Sequence, residues 1–348
     1  MKKTKILVLA EFFDKNDFVN DPEYHEMIST FGDDVEFEFA QDLNPREFDD
    51  ISKYVLYMET NGPEWVTPSP EVMEKIADAD VLLVGMSGVS SRIIDAGKNL
   101  KFIGAMRSGF ENVNKAYAES KGITVRNCPG RLANPVADMT LAMMICETRG
   151  ILRGNLVTNQ GRWNKMDIYD DTTNRPMSSL KVGLVGYGMI GRKLAARLHA
   201  CEAEVFAYDP YTPQTVFDGD SVKKFEILEE MIPRCDIICM MARLTEDTRG
   251  MFGEKQFALM KPTAIFCNTA RAGLVDEAAL VAALAAKKIR GACLDTYSQE
   301  PLPQDHPLLK MNNVTLMPHR AGVTPGMGQQ SMKMMFKTLR KFLNGEAV

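Results

Sequence analysis

The sequence predicts an α/β protein with two parallel sheets. Three observations carry that expectation. The chain has 348 residues, enough for two domains at ~100–200 residues each. Hydrophobic residues make up 45% and charged residues 25%, so there is ample apolar material to bury and disorder is excluded as the dominant state. Short apolar runs alternate with helical patterns along almost the whole length, the pattern of strands joined by crossover helices.

Taken in order, the first third carries candidate strands at Lys5–Ala10, Val35–Phe39, Val81–Val84, Phe102–Ala105 and Thr124–Asn127. They are spaced for intervening helices, as in a flavodoxin-like sheet. Lys2, Lys3 and Lys5 precede the apolar run Ile6–Ala10, which stops at Glu11. A secretory core needs ~7–15 apolar residues and a small-residue cleavage site, so a first strand is the better reading. Asn134-Pro135 reads as a helix start, with Asn capping free N–H groups and Pro near the first helical position. Met139–Ile145 is apolar on nearly every side, as in a helix buried between domains or subunits. A second series follows from Leu180: strands at Lys181–Val185, Glu204–Tyr208, Asp236–Met240, Thr263–Asn268, Gly291–Asp295 and Val314–Met317. Gln329–Leu343 carries Met332, Met335, Phe336, Leu339 and Phe342 at helical spacing, so it reads as an amphipathic helix that ends at Gly345.

The net charge of −5 argues against nucleic acid as the main partner, which needs a basic surface. No apolar run approaches the ~18–20 residues of a membrane span. The seven cysteines form no C-x-x-C pair and sit mostly among apolar neighbours. That pattern suits buried free thiols in a reducing cytoplasm and argues against a metal site.

Val182 to Gly191 contains Gly186-Tyr187-Gly188-Met189-Ile190-Gly191, a G-x-G-x-x-G motif directly after a strand and opening a helix. Gly186 permits the tight turn, Gly188 lets a pyrophosphate approach the backbone, and Gly191 lets helix and strand pack closely. The helix N-terminus offers N–H donors to the phosphates. The next strand ends at Asp209, placed to hydrogen-bond an adenosine ribose and to repel a 2′-phosphate. No cation follows it closely, so NAD is favoured over NADP.

In an open parallel sheet, ligands bind outside the C-terminal ends of the strands. Three reactive residues lie just past such ends: Arg271, Glu300 and His319. Arg binds a carboxylate bidentately, His exchanges a proton near neutral pH, and Glu beside His favours the imidazolium. Reduction of a 2-keto acid by NADH requires that set.

These residues resemble the D-isomer-specific 2-hydroxyacid dehydrogenases. The likeness lies in the glycine motif with Asp209, in Asn268 to Asp276 around Arg271, in Leu294 to Leu302 with Glu300, and in Pro318-His319-Arg320-Ala321-Gly322. It continues upstream in Arg107-Ser108-Gly109, Gly122–Gly130 and Val136-Ala137-Asp138. The resemblance implies two Rossmann-like and flavodoxin-like parallel-sheet domains flanking a cleft. A discontinuous substrate domain would comprise 1–132 plus 320–348, and an NAD-binding domain 133–319. It implies Arg271 on the substrate carboxylate and carbonyl, His319 as acid/base, and Glu300 as its partner. Met189, Ile190, Ala270 and Asp295 would join the glycines and Asp209 around the cofactor. Backbone N–H groups of Met86, Ser87 and Gly88, with Arg107, would hold the substrate. A homodimer with an arm at Ile151–Asp171 is implied; the cysteine pattern suits a cytoplasmic protein, and the 29 residues after His319 lead us to expect no regulatory domain.

The sequence departs from the family's pattern in places. Phosphoglycerate-type members carry an Arg near Val84–Gly85, and none stands here, which argues against a 3-phosphoglycerate substrate unless Arg131 compensates. Arg243 stands where many members have a His-x-Pro segment, and no role is assigned to it. Phe110, Glu111 and Arg131 are candidate specificity residues. Two competing readings follow: an NADH-sensing binding protein, weakened by the complete set of Arg271, Glu300 and His319, and a short-chain dehydrogenase. Tyr117-x-x-x-Lys121 has the spacing of the latter but precedes the glycine motif instead of following it.

Overall fold

The computed structural model describes residues 3–11, 20–42, 54, 57, 58, 61–163 and 174–348. The chain divides into two compact units, 1–131 with 325–348, and 132–324.

The first unit holds five parallel strands: β1 (Thr4–Ala10), β2 (Val35–Gln41), β3 (Val81–Val84), β4 (Phe102–Ala105) and β5 (Thr124–Asn127). Their order is β2-β1-β3-β4-β5, the doubly wound order of flavodoxin-like sheets. Both faces are covered, so the strands read as continuous apolar runs instead of alternating ones. Along β1, Ile6 and Val8 pack on one side with Tyr24, Met335 and Phe336. Leu7 and Leu9 pack on the other with Val72, Ile76 and Ile93. Helix starts are locally encoded: the side chain of Ser69 accepts from Val72 N at 3.2 Å, and that of Asn114 from Tyr117 N at 3.1 Å. The last helix, Met327–Leu343, returns to this sheet and buries Met332, Met335, Phe336 and Leu339 at helical spacing. Full burial of each such side chain contributes at most ~1.5–3 kcal/mol.

The second unit holds seven parallel strands: β6 (Lys181–Val185), β7 (Glu204–Tyr208), β8 (Lys223–Phe225), β9 (Ile237–Met240), β10 (Ile265–Asn268), β11 (Gly291–Leu294) and β12 (Val314–Leu316). The order β12-β11-β10-β9-β6-β7-β8 reverses between β9 and β6, as in a Rossmann sheet. The sequence pattern indicates six strands; β8 is the one it misses. It is three residues long and begins Lys223-Lys224, the charged, short form that protects a sheet edge and carries no apolar run. Several strand ends lie one or two residues inside the sequence expectation. Asp236 and Asp295 flank β9 and β11, where their backbone N–H groups still donate to Lys181 O and Asn268 O, and their carboxylates take further backbone N–H groups: Asp236 from Lys181, Asp295 from Arg320 and Ala321.

The helix expected to start at an Asn134 cap instead runs Ala133–Arg149 with Leu132 at the cap position. Asn134 lies inside its first turn, and its side-chain oxygen accepts from Arg197 at 3.3 Å. That helix packs on helix Met189–Ala200 and across β10 to β12. Beneath it, Cys239, Cys267 and Cys293 stand in register on β9, β10 and β11, all fully buried. All seven cysteines are free. Hydrogen bonding to Cys239 and burial hold the Cys267 thiol well above its ordinary pKa, and burial pushes that of Cys235 up to about 12. These are packing groups and poor nucleophiles.

Candidate active site

The chain leaves β6 into Gly186, which has φ +102°. A Cβ there would lie 2.4 Å from Ala242 N, so both the left-handed turn and the contact with the chain beyond β9 require glycine. This is the point where the strand order reverses. Gly188 precedes helix Met189–Ala200, and a Cβ on it would meet nothing within 4 Å. An open approach to the backbone at a helix N-terminus is the cradle a pyrophosphate needs. A Cβ on Gly191 would meet Gly186 O at 2.7 Å, so the third glycine closes the turn against the helix. Met189 is exposed and Ile190 half-buried.

Asp209 directly follows β7, with its carboxylate turned toward the glycine loop. Oδ2 accepts from Tyr187 N at 2.7 Å; Oδ1 accepts from Tyr211 N at 2.9 Å and Thr212 N at 3.0 Å. The side chain therefore fixes both turns. The loop has a second support absent from the motif reading. The Tyr187 hydroxyl donates to Asp220 Oδ2 at 3.0 Å, and Arg192 clamps the same carboxylate at 2.7 and 3.2 Å.

Past β10, β11 and β12 the structure brings together the three residues expected to react. His319 Nδ1 lies 2.7 Å from Glu300 Oε2, and Glu300 Oε1 accepts from Tyr297 N at 3.0 Å. The side chain of Glu300 is 10% exposed and that of His319 39%. With Nδ1 committed to Glu300, Nε2 is left for a ligand. The His319 backbone has φ +50°, a left-handed conformation sparsely used by residues other than glycine. It is held by the buried Asp295, which takes the next two backbone N–H groups, Arg320 at 2.8 Å and Ala321 at 2.9 Å. Arg271 leaves β10 through a turn fixed by buried Asn268, which accepts from Ala270 N and donates to Arg271 O, both at 3.0 Å.

The electrostatics couple the set. The hydrogen bond to Glu300 raises the His319 pKa above its usual value, against burial and the Arg271 charge. Burial opposes ionisation of Glu300, but the His319 and Tyr297 hydrogen bonds and the charges of His319 and Arg271 outweigh it and hold its pKa down. Burial raises that of Asp295, against its two N–H bonds.

Met86, Ser87, Gly88 and Arg107 lie in the first unit, past β3 and β4. The loop after β3 turns three successive N–H groups, those of Gly85, Met86 and Ser87, onto one point. The carboxylate they meet belongs to Glu11, at the end of β1, a residue that sequence reading treats only as the end of an apolar run. Glu11 is 7% exposed, and Arg107 is also buried. Among the described residues, no group of His, Cys, Asp and Glu side chains could hold a metal ion.

A glycine turn at the reversal point of a doubly wound sheet, an acid just past the next strand and an Arg, Glu and His past neighbouring strand ends define a Rossmann-type α/β site of the dinucleotide-binding class. Residues 141–321 match the family model described as D-isomer specific 2-hydroxyacid dehydrogenase, NAD binding domain. The chain belongs to that family, and this region is its NAD-binding domain. It is 35% identical over 283 residues to a D-3-phosphoglycerate dehydrogenase of Methanocaldococcus jannaschii, covering 79% of this chain and 52% of that protein. The chain thus spans about half the length of that relative. It is 33% identical to a glyoxylate reductase of Thermofilum pendens, covering 81% of this chain and 84% of that protein. Among solved structures, the NAD-complexed D-isomer specific 2-hydroxyacid dehydrogenase of Lactobacillus delbrueckii ssp. bulgaricus shares the fold, with TM-score 0.75, 22% identity, and 99% and 98% of the two chains covered.

Proposed function

We propose that the protein is an NAD-dependent oxidoreductase that interconverts a D-2-hydroxy acid and its 2-keto acid. The 2.7 Å His319–Glu300 pair, with Nε2 left over and the Arg271 charge acting on both, carries this reading. The bound nicotinamide supplies or accepts the hydride. Arg271 holds the substrate carboxylate and polarises its carbonyl. His319 Nε2–H gives a proton to the carbonyl oxygen in reduction, and takes it back from the hydroxyl in oxidation. Glu300 fixes the ring and stabilises the imidazolium, and Asp295 holds the loop beyond it. Gly186, Gly188, Met189, Ile190, Gly191, Asp209 and Ala270 bind the dinucleotide. Met86, Ser87, Gly88 and Arg107 bind the substrate. A proton donor of this kind has no use in a protein that only senses NADH.

The missing Arg near Val84–Gly85 favours an unphosphorylated 2-keto acid. Relatives named glyoxylate reductase and hydroxypyruvate reductase fit that size. A panel of 2-keto acids, with and without a phosphate, tests this with NADH and NADPH. The expected result is turnover of unphosphorylated acids with NADH preferred by at least ~10-fold, because a 2′-phosphate would meet the Asp209 carboxylate. Preference for NADPH would remove the role given to Asp209. Turnover of no member would overturn the function.

We also infer a cytoplasmic homodimer joined through the NAD-binding unit. Helix Ile151–Asn159 buries none of its residues, and Ile151, Leu152, Leu156 and Trp163 are exposed apolar groups along it and just beyond. Such a stripe is characteristic of a surface covered by a partner. Residues 164–171 of the expected arm lie outside the described residues. Free thiols packed in the core fit a reducing compartment. Sedimentation should give a dimer that a charge at Leu156 weakens; a monomer at all concentrations would refute the arm. Among the described residues, no helix is long and apolar enough to cross a membrane.

A further inference from the structure

The loop after β3 is built as an anion seat. Gly85 N and Ser87 N donate to Glu11 Oε1 at 2.9 and 2.8 Å, and Met86 N donates to Oε2. A Cβ on Gly85 would stand 2.5 Å from Oε2, so only glycine admits the carboxylate here. The loop is held from behind. The side chain of Asn112, fully buried, donates to Gly85 O at 3.1 Å and Ser87 O at 2.9 Å, which turns the carbonyls away and leaves the N–H groups converging. Val89 N then donates to Asn112 O at 2.7 Å. Three converging backbone donors are a fixed anion site, and one carboxylate satisfies them.

We infer that Glu11 is an intramolecular occupant of the seat that receives the substrate carboxylate, and that substrate binds by displacing it. The inference rests on the proposal above that the Met86 and Ser87 N–H groups bind substrate. Two carboxylates cannot share three donors, and like charges at that distance repel. Glu11 is tethered to the end of β1, whose neighbour in the sheet is β3, so it competes at a high effective concentration. A small acid that offers only a carboxylate competes poorly. A substrate with further hydroxyl or carbonyl groups can draw on other contacts to displace the side chain. Glu11 thus raises the apparent dissociation constant of every carboxylate by the same factor, and acids with few further contacts are the ones left too weakly bound to use the seat.

The test uses the full-length, isotope-labelled protein and oxamate, an unreactive analogue of a 2-keto acid. Binding is read from the backbone amide signals of Gly85, Met86 and Ser87. Glu11→Ala should bind oxamate at least ~10-fold more tightly than the parent chain, since the internal competitor is gone. Glu11→Gln keeps the shape and one acceptor oxygen but loses the charge, so it should fall between the two. Equal or weaker binding by folded Glu11→Ala would overturn the inference. If that variant fails to fold, equal or weaker binding by Glu11→Gln does so. Oxamate that leaves the three amide signals unmoved in every variant also overturns it. The panel of 2-keto acids is scored separately. Failure of all its members removes the proposed activity, while the oxamate titration still decides what Glu11 occupies.

Discussion

Replacing His319 with alanine should lower kcat by ~10²–10⁴-fold, the scale of a removed acid–base group. KM should change little, because Arg271 and the backbone donors that bind substrate remain. The left-handed backbone at residue 319 makes His319→Asn the better partner variant, since Asn tolerates that conformation and Ala does not. His319→Asn should melt closer to the parent protein than His319→Ala, and both should lose turnover alike. Turnover of either within threefold of the parent, on the best substrate, would sink the mechanism. Glu300→Gln separates orientation from charge. The Glu300 hydrogen bond is the largest cause of the raised His319 pKa. Reduction needs the protonated ring, so kcat/KM for reduction should fall as pH rises through that raised value. Glu300→Gln removes the cause, and the alkaline limb should move to lower pH. The sign for stability is the same. What the pair contributes is fully present below the ordinary His pKa of ~6.5 and is lost as pH rises through the folded value. An alkaline limb that does not move would detach Glu300 from the proton.

Much of this site is legible in the sequence because its chemistry sits at strand ends. A parallel strand covered on both faces is an apolar run, so β6, β9, β10 and β11 announce themselves. Reactive residues a few positions past β7, β10, β11 and β12, namely Asp209, Arg271, Glu300 and His319, then stand out. What stays hidden depends on partners distant in the chain. Glu11 follows β1 as an unremarkable acid, and only the parallel pairing of β1 with β3 brings it to Gly85, Met86 and Ser87, more than seventy residues on. Asn112 is equally silent until its side chain is seen holding two carbonyls of that loop. Tyr187 occupies a variable position of the glycine motif, yet it is fully buried, stacked on Phe217 at 4.7 Å and hydrogen-bonded to Asp220. The error at Asn134 is local: the dipeptide with Pro135 is a good start signal, but the helix begins two residues earlier, and Arg197 takes the Asn oxygen.

Glu147 is the largest feature missed, and Glu147→Ala should destabilise the second unit by ~3–5 kcal/mol. Met139–Ile145 reads as apolar on nearly every side, yet the helix that contains it, Ala133–Arg149, carries a carboxylate that is 1% exposed. Its oxygens accept from Arg153 Nη1 at 3.0 and 3.2 Å, from Thr315 Oγ1 at 2.8 Å and from Arg290 Nη1 at 3.5 Å; Arg290 also donates to the Glu147 backbone oxygen at 3.0 Å. The group ties the helix to β12 and to the residue before β11. Truncation removes the carboxylate that neutralises two guanidinium groups and the acceptor of a buried hydroxyl, which costs more than the intact pair contributes. In a unit of this size the loss corresponds to a fall in Tm of roughly 6–20 °C. Glu147→Gln keeps an acceptor for Thr315 but not the charge, so it should lie between parent and Glu147→Ala. The difference should survive added salt, because a pair this deeply placed is poorly screened. Turnover per folded molecule should be unchanged, since His319 and Arg271 stand past the opposite ends of these strands. A loss under 1 kcal/mol, read by denaturant unfolding of all three proteins, would mean that water or a shifted Arg153 replaces the carboxylate, and that the network is incidental to the fold.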